Sequence, residues 1–222
     1  MKSVIRKRNI VVIAVIMVAV MVSCFAILFK NSAYATNLWD VENHWARSYI
    51  EYMEQRGAIK GYDDGSFKPE NQTTVGEAIK LIVATFDNTV TNYEGGHWAT
   101  NYLNKAKEQK IVEQGQYTVD MLDRPALRKE EMYMISQSLK QLAYKPVLEV
   151  DYAVMNFTDV NGLTNQDGID YVEAIKTCYL LGIVEGDDTG LMNPEAPITR
   201  AEIVTILSRA YSEQWRKYKG LD

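Results

Sequence analysis

The sequence predicts a mainly α-helical protein built from repeated helix-loop-helix units, and three observations predict it. Trp45 to Phe86 can be laid without a gap on Asp170 to Tyr211. Gly57, Gly61, Gly65, Pro69, Thr74 and Glu77 then meet Gly182, Gly186, Gly190, Pro194, Thr199 and Glu202. So many turn and cap residues in register mark an internal repeat. A more worn copy lies between these two, where His44-Trp45-Ala46 and Tyr49 recur as His97-Trp98-Ala99 and Tyr102, and Glu77 recurs as Glu130. Inside each copy, apolar residues at helical spacing flank a loop, which is glycine-rich in the outer two.

The N-terminal segment is of another kind. Lys2, Arg6, Lys7 and Arg8 precede an apolar run from Ile10 to Phe29, and Ala33-Tyr34-Ala35 follows. At about 1.5 Å per helical residue this run could cross a bilayer. Residues 1–35 are therefore expected to be a secretory signal cleaved after Ala35 or a retained N-terminal membrane anchor, with a lipidated Cys24 as a third reading. Each version places Thr36–Asp222 outside the cytoplasmic membrane.

These residues hold Lys2, Arg6, Lys7, Arg8 and Lys30 and no acid, so the remainder is more acidic than the net charge of −5 of the whole 222-residue chain. That argues against a nucleic-acid partner. An anionic ligand would have to be met by a few placed cations. The exported part keeps one cysteine, Cys178, inside an apolar helical pattern. It has no intramolecular partner there and is expected as a buried thiol.

The first helix of copy one shows Trp45, Tyr49 and Met53 at every fourth residue, and Gly57 stands where a left-handed cap is expected. The loop from Gly61 to Pro69 supplies turn residues. A calcium-loop register fails, because Gly65 as sixth residue puts Lys60 first and Asn71 twelfth, where Asp and Glu are required. Thr74 and Glu77 then form a capping box opening the second helix, as Thr199 and Glu202 do in copy three. Ala78, Leu81, Ile82 and Phe86 make one apolar stripe; Ile203, Ile206, Leu207 and Tyr211 repeat it, and Met134, Ile135 and Leu139 supply the middle share. Three such faces bury most simply against a shared axis, each large side chain contributing roughly 1.5–3 kcal/mol. In the connector 143–156, Leu148, Val150, Tyr152 and Val154 alternate with other residues and suggest a short strand. Residues 212–222 form a C-terminal tail.

Ile198-Thr199-Arg200-Ala201-Glu202 carries the functional signal. Arg200 is the first residue of its helix, where a cation opposes the helix dipole by roughly 0.3–1 kcal/mol, so helix stability does not call for it. Free N–H groups and a guanidinium pointing the same way would make a carboxylate or phosphate site; the alternative is an arginine paired with a neighbouring glutamate on the surface, the better reading of this segment taken alone. Copy two keeps the arginine in Leu127-Arg128-Lys129-Glu130 without the threonine cap. Copy one keeps the cap in Thr74-Val75-Gly76-Glu77 without the arginine.

Leu38-Trp39-Asp40-Val41 with His44-Trp45-Ala46, Gly61-Tyr62-Asp63-Asp64-Gly65 with Phe67 and Pro69, Phe157-Thr158-Asp159-Val160, and Ile198-Thr199-Arg200-Ala201-Glu202 together resemble a tandem of three S-layer homology (SLH) repeats. The resemblance places them at 38–87, at 93–142 as the degenerate copy, and at 157–211. It implies a pseudo-threefold spindle around a central helix bundle, with inter-repeat grooves that hold secondary cell-wall polysaccharide, often bearing pyruvate ketals. The ketal carboxylates would meet the motif arginines, here Arg128 and Arg200. Trp45 and Trp98 could stack on sugar rings, although packing has the stronger claim on both. Tyr62 is expected to line a groove and Lys68 to add a cation.

His44 and His97 read as helix-start residues, kept apart by repeat equivalence and so not metal ligands. No cofactor is called for, and no histidine–nucleophile or phosphate-cradling pattern supports an enzyme. The expectation is a non-catalytic cell-envelope anchoring module. The alternative is a membrane-anchored scaffold whose worn grooves serve an envelope protein partner.

Overall fold

A computed structural model describes residues 38–141, 157–163 and 168–217. The expected signal or anchor (1–35) and the short strand at 148–154 lie outside the described residues. The described part is mainly helical: α1 (Arg47–Gln55), α2 (Val75–Phe86), α3 (Thr100–Glu108), α4 (Arg128–Gln141), α5 (Tyr171–Leu180) and α6 (Arg200–Tyr211). Extended pairing among the described residues is limited to isolated bridges.

Each short first helix is started by a side chain. His44 Nδ1 accepts from the Ala46 N–H and His97 Nδ1 from the Ala99 N–H, both at 3.1 Å, while the Asp170 carboxylate accepts from the Glu173 N–H at 3.0 Å. The opposite imidazole nitrogens reach Glu70 at 2.6 Å and Asp123 at 3.1 Å. Each first helix ends on a left-handed residue: Gly57 at φ +70°, Lys110 at +53° and Gly182 at +66°. The middle copy has lost its glycine and kept the conformation, at a cost of roughly 1–2 kcal/mol.

Both expected capping boxes form, at Thr74/Glu77 and Thr199/Glu202. The middle helix retains half of one, the Leu127 N–H donating to Glu130 at 2.9 Å. The loops ahead of α2 and α6 are pinned alike: Phe67 and Lys68 donate their N–H groups to Asp40, and Met192 and Asn193 donate theirs to Asp159.

A ring of backbone hydrogen bonds joins the three copies. The Thr73 N–H donates to the Ile198 carbonyl (2.8 Å), Ile198 to Ala126 (3.1 Å), and Ala126 back to Thr73 (2.9 Å). Beside each ring member, the first two N–H groups of the following helix donate to the next copy. Val75 and Gly76 bond Arg124 and Leu122, Arg128 and Lys129 bond Ala196 and Pro194, and Arg200 and Ala201 bond Asn71 and Pro69. The helix N–H groups expected to hold an anion are therefore used in fold closure.

Met134, Ile135, Leu139, Ala78, Ile82, Ile203 and Leu207 are all buried in one apolar cluster. Two expectations about side-chain direction are corrected. The buried stripe of α1 and its lead-in is Ala46, Ile50 and Met53, leaving Trp45 59% exposed, and Tyr211 is 41% exposed. The buried positions begin one residue later than the fourfold spacing suggests, at Ala46, which turns Trp45 outward. Residues 212–217 run back across the fold: the Trp215 ring lies 5.0 Å from Tyr49 of α1, and the Lys217 N–H donates to the Gly182 carbonyl at 2.9 Å. Cys178 is a free, buried thiol whose Sγ reaches the Met132 carbonyl at 3.4 Å.

Glu131 breaks the apolar pattern. It is wholly buried, and neither carboxylate oxygen has a hydrogen-bond partner among the described residues. Burial holds its carboxyl well above the ordinary 4.5, against the opposing pull of Arg128. Below pH 4.5 the group is neutral in both folded and unfolded chains; as pH rises, only the unfolded chain ionises freely, and stability falls. Glu131→Met is expected to raise stability at pH 7 by roughly 1–3 kcal/mol and to flatten the decline above pH ~5, as read by thermal melting across pH.

Candidate functional site

The ring sets three composite junctions. Each combines the loop and second helix of one copy, the first-helix region of the next, and the first residue of the preceding copy's second helix. Two of them carry a groove lined by described residues.

The first is a groove of about 630 Å³ walled by residues 57–63, the Glu77 and Lys80 face of α2, Trp98 and Tyr102, with Arg200 entering from copy three. Arg200 is only 6% exposed. Its Nε donates to the Phe67 carbonyl at 2.9 Å, and the guanidinium carbon lies 4.9 Å from the Tyr62 ring centre and 4.7 Å from that of Phe67. Its nearest carboxylate oxygen, on Glu77, is 3.7 Å away. Lys80 extends its ammonium to 5.3 Å from the Trp98 ring centre and 5.5 Å from that of Tyr102, within 3.5 Å of the Asn92 carboxamide oxygen. Burial, then repulsion from Arg200, lowers its pKa. A cation held over aromatic rings on a groove wall can take an anion.

The second groove, about 400 Å³, belongs to copy three and receives Arg128 from copy two and Trp45 from copy one. Arg128 repeats the Arg200 geometry: its Nε donates to the Met192 carbonyl at 3.1 Å, and it pairs with Glu202 at 3.3 Å. Arg209, on the same wall, donates to Glu185 at 3.0 Å. Asp187 accepts from the Thr189, Leu191 and Asn193 side-chain or backbone donors, and these hold its carboxyl far below the ordinary carboxylate range.

The third junction carries different side chains. Val75, buried, takes the arginine position, and Asp170 stands where the other copies have tryptophan. Arg124 forks onto Glu130, which also accepts from the Tyr117 hydroxyl at 3.2 Å. Tyr133 stands where the first groove has Lys80; its hydroxyl donates to Glu113 at 3.0 Å and its ring meets Tyr171 edge-on at 5.9 Å. Burial raises the Tyr171 phenol to about 12.

Arg200, Tyr62 and Trp98 thus share one groove, and Arg128 and Trp45 share the other. Lys68 lines neither; its ammonium lies 4.2 Å from the Tyr62 ring centre and 3.5 Å from Asp64. Thr74, Glu77, Thr199 and Glu202 cap helices, and both glutamates also face a groove arginine. Lys80, Arg124 and Arg209 were not marked by the repeat pattern, because their counterparts in the other copies are of different types. The signal for Lys80 was its place three residues after Glu77, on the same helical face.

The family model described as the S-layer homology domain matches residues 40–79 and 166–204. Among curated proteins, "Exoglucanase XynX" of Acetivibrio thermocellus is 24% identical over 178 residues, covering 76% of this chain and 16% of that protein. The "Cellulosome-anchoring protein" of the same species is 45% identical over 47 residues, 21% of this chain and 10% of that protein. The "Middle cell wall protein" of Brevibacillus brevis is 30% identical over 87 residues, 37% of this chain and 8% of that protein. The chain therefore spans a small part of the length of each relative. No described helix is long and apolar enough to cross a membrane.

The Glu130 side chain is 6% exposed and Arg124 is its cation. Arg124→Ala is expected to destabilise the fold by roughly 1–3 kcal/mol, below the range for a wholly buried pair because Arg124 reaches solvent. Arg124→Lys should recover part of this loss in urea unfolding.

Proposed function

We propose that residues 38–211 form three S-layer homology repeats in a pseudo-threefold spindle, acting as a non-catalytic module that holds its chain on the cell envelope. The module grips an anionic secondary cell-wall polysaccharide in the grooves at Arg200 and Arg128, and Thr36–Asp222 lies outside the cytoplasmic membrane. The observation that carries this reading is the composite groove, in which a guanidinium fixed by a backbone carbonyl lines the wall beside aromatic rings contributed by other copies. A pyruvate ketal offers a planar carboxylate for such a group and a sugar ring for Trp98 or Trp45. The matched segments at 40–79 and 166–204, and relatives whose names concern anchoring and the cell wall, support the same reading.

The test is co-sedimentation of the purified chain with cell wall. Arg200→Ala is expected to weaken retention about tenfold or more, the worth of a charge-assisted contact, and Arg128→Ala to weaken it less. Chemical removal of pyruvate from the wall should reproduce the Arg200 effect. Retention unchanged in both variants would contradict the proposal.

A further inference from the structure

Resting on the wall-polymer reading, we infer that the two grooves divide recognition by charge. The Arg200 groove takes the carboxylate-bearing sugar, with Lys80 as its second cation, and the Arg128 groove takes an uncharged stretch of the polymer against Trp45. The repeats place Arg200 and Arg128 at equivalent positions, so the contrast drawn here is between the side chains around them.

In the Arg128 groove both guanidiniums already have carboxylate partners. Glu202 is 3.3 Å from Arg128 and Glu185 is 3.0 Å from Arg209, and the ionised Asp187 adds a further negative charge to the wall. An incoming carboxylate would have to displace Glu202 while facing Glu185 and Asp187. What the groove offers freely is the indole of Trp45, 59% exposed on its rim. An apolar ring face suits an uncharged pyranose.

In the Arg200 groove the balance is reversed. Arg200, Lys80 and Lys60 outnumber Glu77 and Asp63, and the one Arg200 pairing is loose at 3.7 Å. Among the described residues no carboxylate lies within ion-pair distance of Lys80, whose ammonium rests over Trp98 and Tyr102. Arg200 repels it. A carboxylate bound between the two would relieve that repulsion and accept from both donors, giving two charge-assisted hydrogen bonds. Thr205 occupies the position of Lys80 in the Arg128 groove, so that groove has no second cation there.

The experiment compares binding of the full-length chain to purified wall with its carboxyls intact and to the same wall after carbodiimide activation and borohydride reduction of the carboxyls to alcohols. Lys80→Gln is expected to lose about tenfold in affinity for intact wall and to match the wild type on reduced wall. Lys80→Arg should keep the preference for intact wall. Trp45→Ala should lose affinity on both walls alike, with thermal melting confirming that each variant folds. Lys80→Gln binding intact wall as the wild type does, or Trp45→Ala losing affinity only on intact wall, would overturn the division. Wild-type protein that binds both walls equally would overturn it too, while leaving wall anchoring in place. Wild-type protein that binds neither wall would overturn the anchoring reading itself.

Discussion

The constraint on which the rest of this structure depends is the closed ring of three backbone hydrogen bonds between Thr73, Ile198 and Ala126. Each bond joins a residue just ahead of one second helix to its counterpart in another copy. The chain can satisfy all three donors only when all three copies are present and in register. A buried amide left without a partner costs on the order of 1–3 kcal/mol, so the ring penalises any arrangement in which one copy swings away. The six flanking bonds at the helix starts repeat the same demand. Short helices of nine or ten residues, marginal in isolation, become stable by this mutual closure and by the apolar cluster beneath it.

Closure also explains where the first residue of each second helix is placed. Its N–H is committed to the neighbouring copy, and its side chain is thereby carried into that neighbour's groove. Arg200 and Arg128 accordingly bond carbonyls at equivalent positions, Phe67 and Met192, in copies other than their own. Where the residue is Val75, the junction carries instead the Tyr133–Tyr171 pair and Arg124 forked onto Glu130. The guanidinium at this junction is that of Arg124, paired with the buried Glu130 carboxylate. Glu131 shows the other side of the same tolerance, a carboxyl whose ionisation burial opposes, held in a bundle that closure makes stable enough to contain it.

Much of this was legible in the sequence, because the repeat carries it. The helices, the capping boxes at Thr74/Glu77 and Thr199/Glu202, the left-handed Gly57 and Gly182, and the buried middle stripe of Met134, Ile135 and Leu139 follow from spacing and turn chemistry. The pinning of two loops by Asp40 and Asp159 makes Phe157–Val160 a true counterpart of Leu38–Val41. Two readings failed for physical reasons. The helix N–H groups looked free for an anion, because nothing in a linear pattern shows that carbonyls from another copy will claim them. Trp45 looked like part of an apolar stripe, but the small Ala46 beside it takes the inner position with Ile50 and Met53, and a fourfold spacing cannot tell two neighbouring apolar residues apart. Lys80 and Arg124 were invisible to the repeat since each is particular to its own copy.

The most direct test of cyclic closure is native-state hydrogen exchange at the Thr73, Ala126 and Ile198 amides. If the ring holds the fold together, all three exchange only through global unfolding, with one common free energy equal to that from denaturant melts. Exchange of the Ile198 amide through a separate, lower-energy opening of the third copy, with Thr73 and Ala126 still protected, would contradict the account.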